Sequence, residues 1–219
     1  MSQNTNFVII SASPRISDRS TSAFIASLAE KKLTSEGINV YQIDARKSLK
    51  GDPQDDFIRM RAADTLVFVF PLYFFCVPGM LMRFLQDYAA YHADHPGNVA
   101  QRVYAIINCG FPEPEINAEA VRVMESFSRH IGASFGFGVM LGGGGMLMDT
   151  KDAPFMKRVM AGLDDAFTRM AQGTGGDHVA LAPKFPRRLY FMAGNMGWGQ
   201  MARQNGLKKK DLYRKPYVL

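Results

Sequence analysis

The chain has 219 residues, of which 47% are apolar and 21% charged, and it carries a net charge of +6. These values exclude intrinsic disorder and fibrous repeats, and the length suits one α/β domain with a tail.

The opening MSQNTN has no basic n-region, and the apolar run at 7–10 is too short for the core of a signal peptide, so an exported protein is not expected. That run, FVII, is rich in β-branched residues and reads as a buried strand of a parallel sheet. Between positions 11 and 22 come six hydroxyls, Ser11, Ser13, Ser17, Ser20, Thr21 and Ser22, with one proline and two arginines. Helical spacing resumes at Phe24, Ile25 and Leu28. A helix start leaves backbone N–H groups unpaired and carries partial positive charge, so strand, hydroxyl-rich loop and helix together suit an anion. The plainer reading is that Ser20 or Thr21 is only an N-cap.

Gly37 stops the first helix, and 38–43 forms a second strand. Residues 45–54 read as a loop and 55–63 as a short helix, and 65–70, TLVFVF, is apolar on both faces, as a central parallel strand should be. The apolar run 66–81 contains Pro71, Pro78 and Gly79 and falls short of a membrane span, so no membrane insertion is expected. Residues 71–77 make a loop before a helix opened by Pro78 and Gly79, followed by a polar turn at 94–99 that leaves His92 and His95 solvated. Strand four occupies 103–107, a helix 116–131, strand five 134–141 despite Gly136 and Gly138, and a last domain helix 154–170. Gly142 to Gly145 matches no phosphate-loop pattern and reads as a flexible link. A final helix from Pro186 is expected to end before the Gly194 to Gly199 stretch.

Cys76 and Cys109 match no metal-ligand spacing, so no metal is expected, and two cysteines without an export signal suggest thiols in a reducing cytoplasm. From Leu181 onward nine Lys or Arg stand against Asp211 alone, giving +8 and leaving −2 for the rest of the chain. No nucleic-acid module accompanies this basic tail. A solvated face, or contacts to an anionic cofactor or a neighbouring subunit, is expected.

Strand and helix alternate five times, which implies a doubly wound, five-stranded parallel sheet in the order 2-1-3-4-5, with residues 1–180 as the domain and 181–219 as a basic helical extension. Ligands of such sheets sit beyond the carboxyl ends of the strands at the switch point. The loops at 11–22, 71–77 and 108–113 meet there. An anion pocket beside the aromatics Tyr73, Phe74 and Phe75 suits a nucleotide-like ligand with a planar ring, although aromatic clusters are usually core.

The N-terminal SASPRISDRSTSA is similar to the GSPRxxxS[NT]T phosphate loop, and ADTLVFVFPLYFFCVPGMLMRFLQD to the ADxIVFxxPxYxxxxPGxLKxFLD segment, of the flavodoxin-like NAD(P)H-dependent FMN reductases and quinone reductases. INCGFPE after strand four resembles the family more loosely. The resemblance covers the first two thirds of the chain. It implies that Ser13, Arg15, Ser20, Thr21 and Ser22 bind the FMN phosphate. Pro71, Leu72, Tyr73, Phe74, Phe75 and Cys76 would lie along the ring, with Asn108, Cys109 and Gly110 closing its other side. Ala12 stands where the family has Gly, and Met82 where Lys is common.

The resemblance further implies an enzyme that passes hydride from NAD(P)H through FMN to a quinone, flavin or other small acceptor, with Tyr73 bordering the substrate face and a homo-oligomeric assembly. A flavodoxin-type electron carrier and a flavin-binding regulatory protein are the alternatives. A serine hydrolase is disfavoured because Ser11 and Ser13 lack a GxSxG elbow.

Overall fold

A computed structural model describes residues 5–14, 20–97 and 100–215. Two compact units divide the chain, Met1–Pro183 and Lys184–Leu219.

In the first unit, β1 (Asn6–Ser11), β2 (Asn39–Asp44), β3 (Thr65–Pro71), β4 (Arg102–Asn108), β5 (Ser134–Leu141) and β6 (Val179–Leu181) form one sheet in the order β2-β1-β3-β4-β5-β6. Every neighbouring pair is parallel. The helices are α1 (Thr21–Ser35), α2 (Ala45–Ser48), α3 (Gln54–Ala62), α4 (Gly79–Asp94), α5 (Ala118–His130), α6 (Leu147–Thr150) and α7 (Lys157–Ala171).

Alternation along the strands builds two cores. Val8, Ile10, Leu66, Phe68 and Phe70 face α3, α4 and α5, where Phe57, Phe84, Tyr88 and Met124 are buried. Phe7, Ile9, Val67 and Val69 face α1 and α7, packing on Ile25, Leu33, Val159 and Leu163. Both faces of β1 and β3 are therefore covered, which is why their sequences read as unbroken apolar runs. Ala12 is fully buried and its N–H donates to Val69 O (2.9 Å), so the methyl that replaces the expected glycine sits inside the sheet end.

Four features differ from the sequence reading. The sheet has six strands, not five, because the three-residue β6 pairs with Val139 to Leu141. It is too short to carry a periodicity, and it ends at Leu181, inside the stretch assigned by sequence to the extension. Second, the presumed loop after β2 begins with α2, whose N-terminus Asp44 caps by accepting from the N–H groups of Arg46 and Lys47. Third, His92 lies within α4 and not in a polar turn. Its Nε2 accepts from Gly97 N (3.1 Å), and burial lowers its pKa, with the Arg61 charge adding to the effect. Met82, on the same helix, packs partly buried against the core rather than lying on the surface.

The fourth difference lies in the second unit. Its helix α8 (Arg187–Gln204) runs on through Gly194, Gly197 and Gly199. A 3-10 turn, Lys209–Tyr213, follows it. No helix among the described residues is long and apolar enough to cross a membrane.

Candidate functional site

The carboxyl ends of β1, β3, β4 and β5 surround a cleft of about 410 Å3, within the range of small-molecule sites. Each wall starts from a strand end and is tied to the next by a hydrogen bond.

The first wall is the entry to α1. Ser20, 5% exposed, is extended at φ −110° and ψ 141°, and its Oγ accepts from Ala23 N at 3.1 Å. It is therefore an N-cap, yet a hydroxyl that accepts here keeps its own O–H to donate into the cleft. Thr21 Oγ1 donates to Gly144 O (3.1 Å), so that hydroxyl hydrogen is committed to the protein. Ser22, almost fully buried, accepts from Asn108 Nδ2 at 2.9 Å. The N–H groups of Thr21 and Ser22 precede the first intrahelical donor, Phe24 N, and the first turn of α1 holds no acid. Ser13 lines the cleft with them. Arg15 lies outside the described residues.

The second wall follows β3. Pro71, Leu72 and Tyr73 line the cleft, with Leu72 N donating to Asn108 O (2.8 Å). Tyr73 and Cys76 exchange backbone hydrogen bonds in both directions, each at 3.0 Å, and so close a two-residue turn. Its central residues are Phe74 (φ 48°) and Phe75 (φ 62°), a left-handed pair of the type I′ turn that ordinarily favours Asn and Gly. Phe74 is 97% exposed at the tip. Phe75 turns away to stack on Phe111 at 5.8 Å and 25°, and Cys76 packs partly buried against the core. These three are not among the residues that line the cleft.

Asn108, Cys109 and Gly110 form the third wall. Asn108 is 5% exposed, and its Nδ2 also donates to Phe70 O (3.1 Å), so one amide holds β3, β4 and α1 together. The Cys109 thiol lies near Phe111 O (3.5 Å) and accepts from Asn117 Nδ2 (3.5 Å). Burial pushes its pKa up, so it faces the cleft as a neutral thiol rather than as a nucleophile. The N–H groups of Leu72, Tyr73 and Cys109 all have partners inside the protein, which leaves peptide faces and side chains rather than donors at these positions.

A fourth wall was not expected. Gly145, from the turn after β5, and Met148 and Asp149, from the short helix α6, close the cleft. The glycine run is stitched in place, with Gly142 N donating to Leu181 O (2.8 Å), Gly143 N to Phe111 O (2.7 Å) and Gly144 N to Cys109 O (2.8 Å). A Cβ on Gly142 would come within 2.5 Å of Pro112 O, so glycine is required there for close approach and not for flexibility. Among the described residues no group of three or more His, Cys, Asp and Glu side chains could hold a metal ion.

The donor set fits a phosphorylated ligand with a flat ring: an acid-free helix start supplies the anion site, and proline-bounded backbone from two strand ends supplies the slot beside it. Among the described residues Asp149 is the one carboxylate on the lining. It suits an O–H or N–H donor and would repel phosphate.

Several solved structures share this architecture. An FMN-dependent NADH-azoreductase from Bacillus anthracis, solved with FMN, superposes with a TM-score of 0.53 at 14% identity, covering 76% of this chain and 99% of that one. An apo NADH:FMN oxidoreductase gives 0.57 at 16% identity, covering 77% and 90%. An NADPH-quinone reductase from P. pentosaceus gives 0.55 at 16% identity, covering 78% and 100%. At such identities the likeness speaks for the fold. No curated protein matches the sequence. The family model described as flavodoxin-like fold matches residues 5–137, more than half of the sequence, and with the parallel sheet and its edge cleft in place, the chain belongs to the flavodoxin-like fold family.

Proposed function

We propose that this protein is an FMN-dependent oxidoreductase that draws reducing equivalents from NAD(P)H and delivers them to a quinone, a free flavin or another small acceptor. The observation that carries this reading is the convergence in one cleft of the acid-free N-terminus of α1 with the strand-end segments at Pro71–Tyr73 and Asn108–Gly110. The activities of the structural neighbours support it.

In this reading the phosphate takes the N–H groups of Thr21 and Ser22 and the hydroxyls of Ser13 and Ser20, with Arg15 adding charge. Pro71, Leu72 and Tyr73 flank one side of the ring, and Asn108, Cys109 and Gly110 the other. Phe74, Phe75 and Cys76 act as the rim of the ring site, through the turn that holds Tyr73. Asp149 accepts from a ribityl hydroxyl or a ring N–H. Bound flavin supplies the redox chemistry, hydride entering from the nicotinamide and electrons leaving to the acceptor. The chain's own part is to hold the ring, exclude water from one face with Leu72 and Met148, and leave Tyr73, 39% exposed, beside the face open to substrates.

The test is spectroscopic. Protein loaded with FMN and mixed anaerobically with NADPH or NADH should bleach, and should turn over with a quinone when no protein partner is present. A protein that neither carries nor takes up FMN sinks the proposal. One that binds FMN but is not reduced by either nucleotide is a carrier instead.

A further inference from the structure

We propose that the C-terminal unit docks this protein onto anionic lipid surfaces, with the apolar side chains of α8 seated among headgroups and its cations against lipid phosphates. Of the residues of α8, only Gly199 and Ala202 are buried. Met196 is 68% exposed, Trp198 63% and, just beyond the helix, Tyr213 78%, while Phe191 and Leu189 are close to half exposed. Glycine at 194, 197 and 199 is poor for a helix in water, and a Cβ at any of the three would meet nothing within 4 Å, so packing within the chain does not ask for it. Such a helix needs something to cover it.

Charge selects the cover. Between Lys184 and Lys215 nine cations stand against Asp211, and α8 itself contains no acid. Asp211 is already paired with Arg214 at 3.0 Å. Arg188, Arg203 and Lys209 line one open groove together with Phe191, Met192 and Met196, so cationic and apolar groups share a single surface. Two copies joined through this unit would set like charges face to face. Apolar residues occupy most of α8 between the flanking cations Arg187, Arg188 and Arg203, with Asn195 and Gln200 as polar exceptions. Long cationic stems can lie along apolar surface while their heads reach phosphate, and Trp and Tyr favour the same boundary. The lipid surface is the cover that accepts this mixture, and binding stays peripheral because no described helix can span a bilayer.

Trp198 is the single tryptophan of the chain, so its emission reports on α8 alone. The full-length protein is mixed with vesicles of phosphatidylcholine, or of equal parts phosphatidylcholine and phosphatidylglycerol, at low and high salt. We expect co-sedimentation and a blue shift of Trp198 with the anionic vesicles only, both fading as salt rises. The triple variant K208Q/K209Q/K210Q should lose about 100-fold in partitioning, and F191S/W198S should lose sedimentation with its charge unchanged. Far-UV circular dichroism verifies that the variants fold. Absence of binding, or equal binding to neutral vesicles, overturns the proposal. So does an emission already blue-shifted without lipid in a concentration-dependent dimer, which would mean that a second copy covers α8. None of these readouts involves flavin or nucleotide, so failure here leaves the redox reading untouched.

Discussion

Ser20 can use one hydroxyl in two ways, accepting from Ala23 N to start α1 while keeping its own hydrogen to donate to an anion in the cleft. Asp caps a helix as well as Ser does but brings a negative charge. Ser20→Asp should therefore melt at or slightly above the wild-type temperature and yet lose roughly 100-fold or more in FMN affinity, from like-charge repulsion at close range. Equal titration curves would remove the phosphate from this position. Tyr88 presents a different case, a fully buried phenol whose oxygen has no hydrogen-bond partner among the described residues. Burial raises its pKa well above the ordinary 10.0. The fold favours the neutral form, so its stabilising effect is complete below about pH 10 and is lost as the unfolded chain ionises above that value. Tyr88→Phe should match or exceed the wild type by up to about 1 kcal/mol at neutral pH, and the gap in its favour should widen in alkaline chemical denaturation. At this scale the sequence made Ser20, Asn108 and the Pro71 to Tyr73 segment legible, because strand ends and helix starts announce themselves. It did not disclose that Thr21 donates its hydroxyl to Gly144 O or that Ser22 Oγ accepts from Asn108, since both partners are more than 80 residues away.

Among the elements, the turn after β3 stores the clearest strain. Phe74 holds a left-handed backbone at φ 48° with its ring in solvent, gaining no packing in return. A non-glycine residue of this kind costs about 1 kcal/mol or more, and Asn tolerates the region better. Phe74→Asn should raise stability by about 1 kcal/mol, measured by denaturant titration, and should weaken the KM for bulky acceptors if the exposed ring guides them to Tyr73. Glycines explain where element reading succeeded and failed. Gly136 and Gly138 looked like weak points in β5, but a Cβ at Gly136 would fall 2.1 Å from the Tyr104 ring and one at Gly138 2.8 Å from Val121. They are demanded by neighbours that a single strand's pattern cannot reveal. The same applies to the run after β5, which is held by three hydrogen bonds and brings Asp149 to the cleft. The rule that ligands gather at strand carboxyl ends applied to β5 as well, and following it there would have found this wall.

For the whole molecule, the order of the first five strands was readable because each apolar run is followed by one amphipathic helix, and right-handed crossovers leave few ways to arrange them. The sixth strand was not, because it contributes three residues and draws its identity from pairing with β5. The division into two units has a direct check. Lys184, Arg187 and Arg188 stand at the start of the second unit, and trypsin under native conditions should cut there first, leaving a resistant fragment that ends near Pro183 and still titrates with FMN. Initial cleavage inside α1 or α4 would contradict an independent core in the first unit.

Asn108 gathers what three separate stretches of chain must agree on. With Ser22, Phe70 and Leu72 all attached to it, the described parts of the cleft are braced by the protein's own hydrogen bonds. Little ordering entropy then remains to be lost on association. On the proposed function, protein freed of FMN should stay native and be recharged within the mixing time, which would make this scaffold a convenient host for exchanging FMN against synthetic analogues.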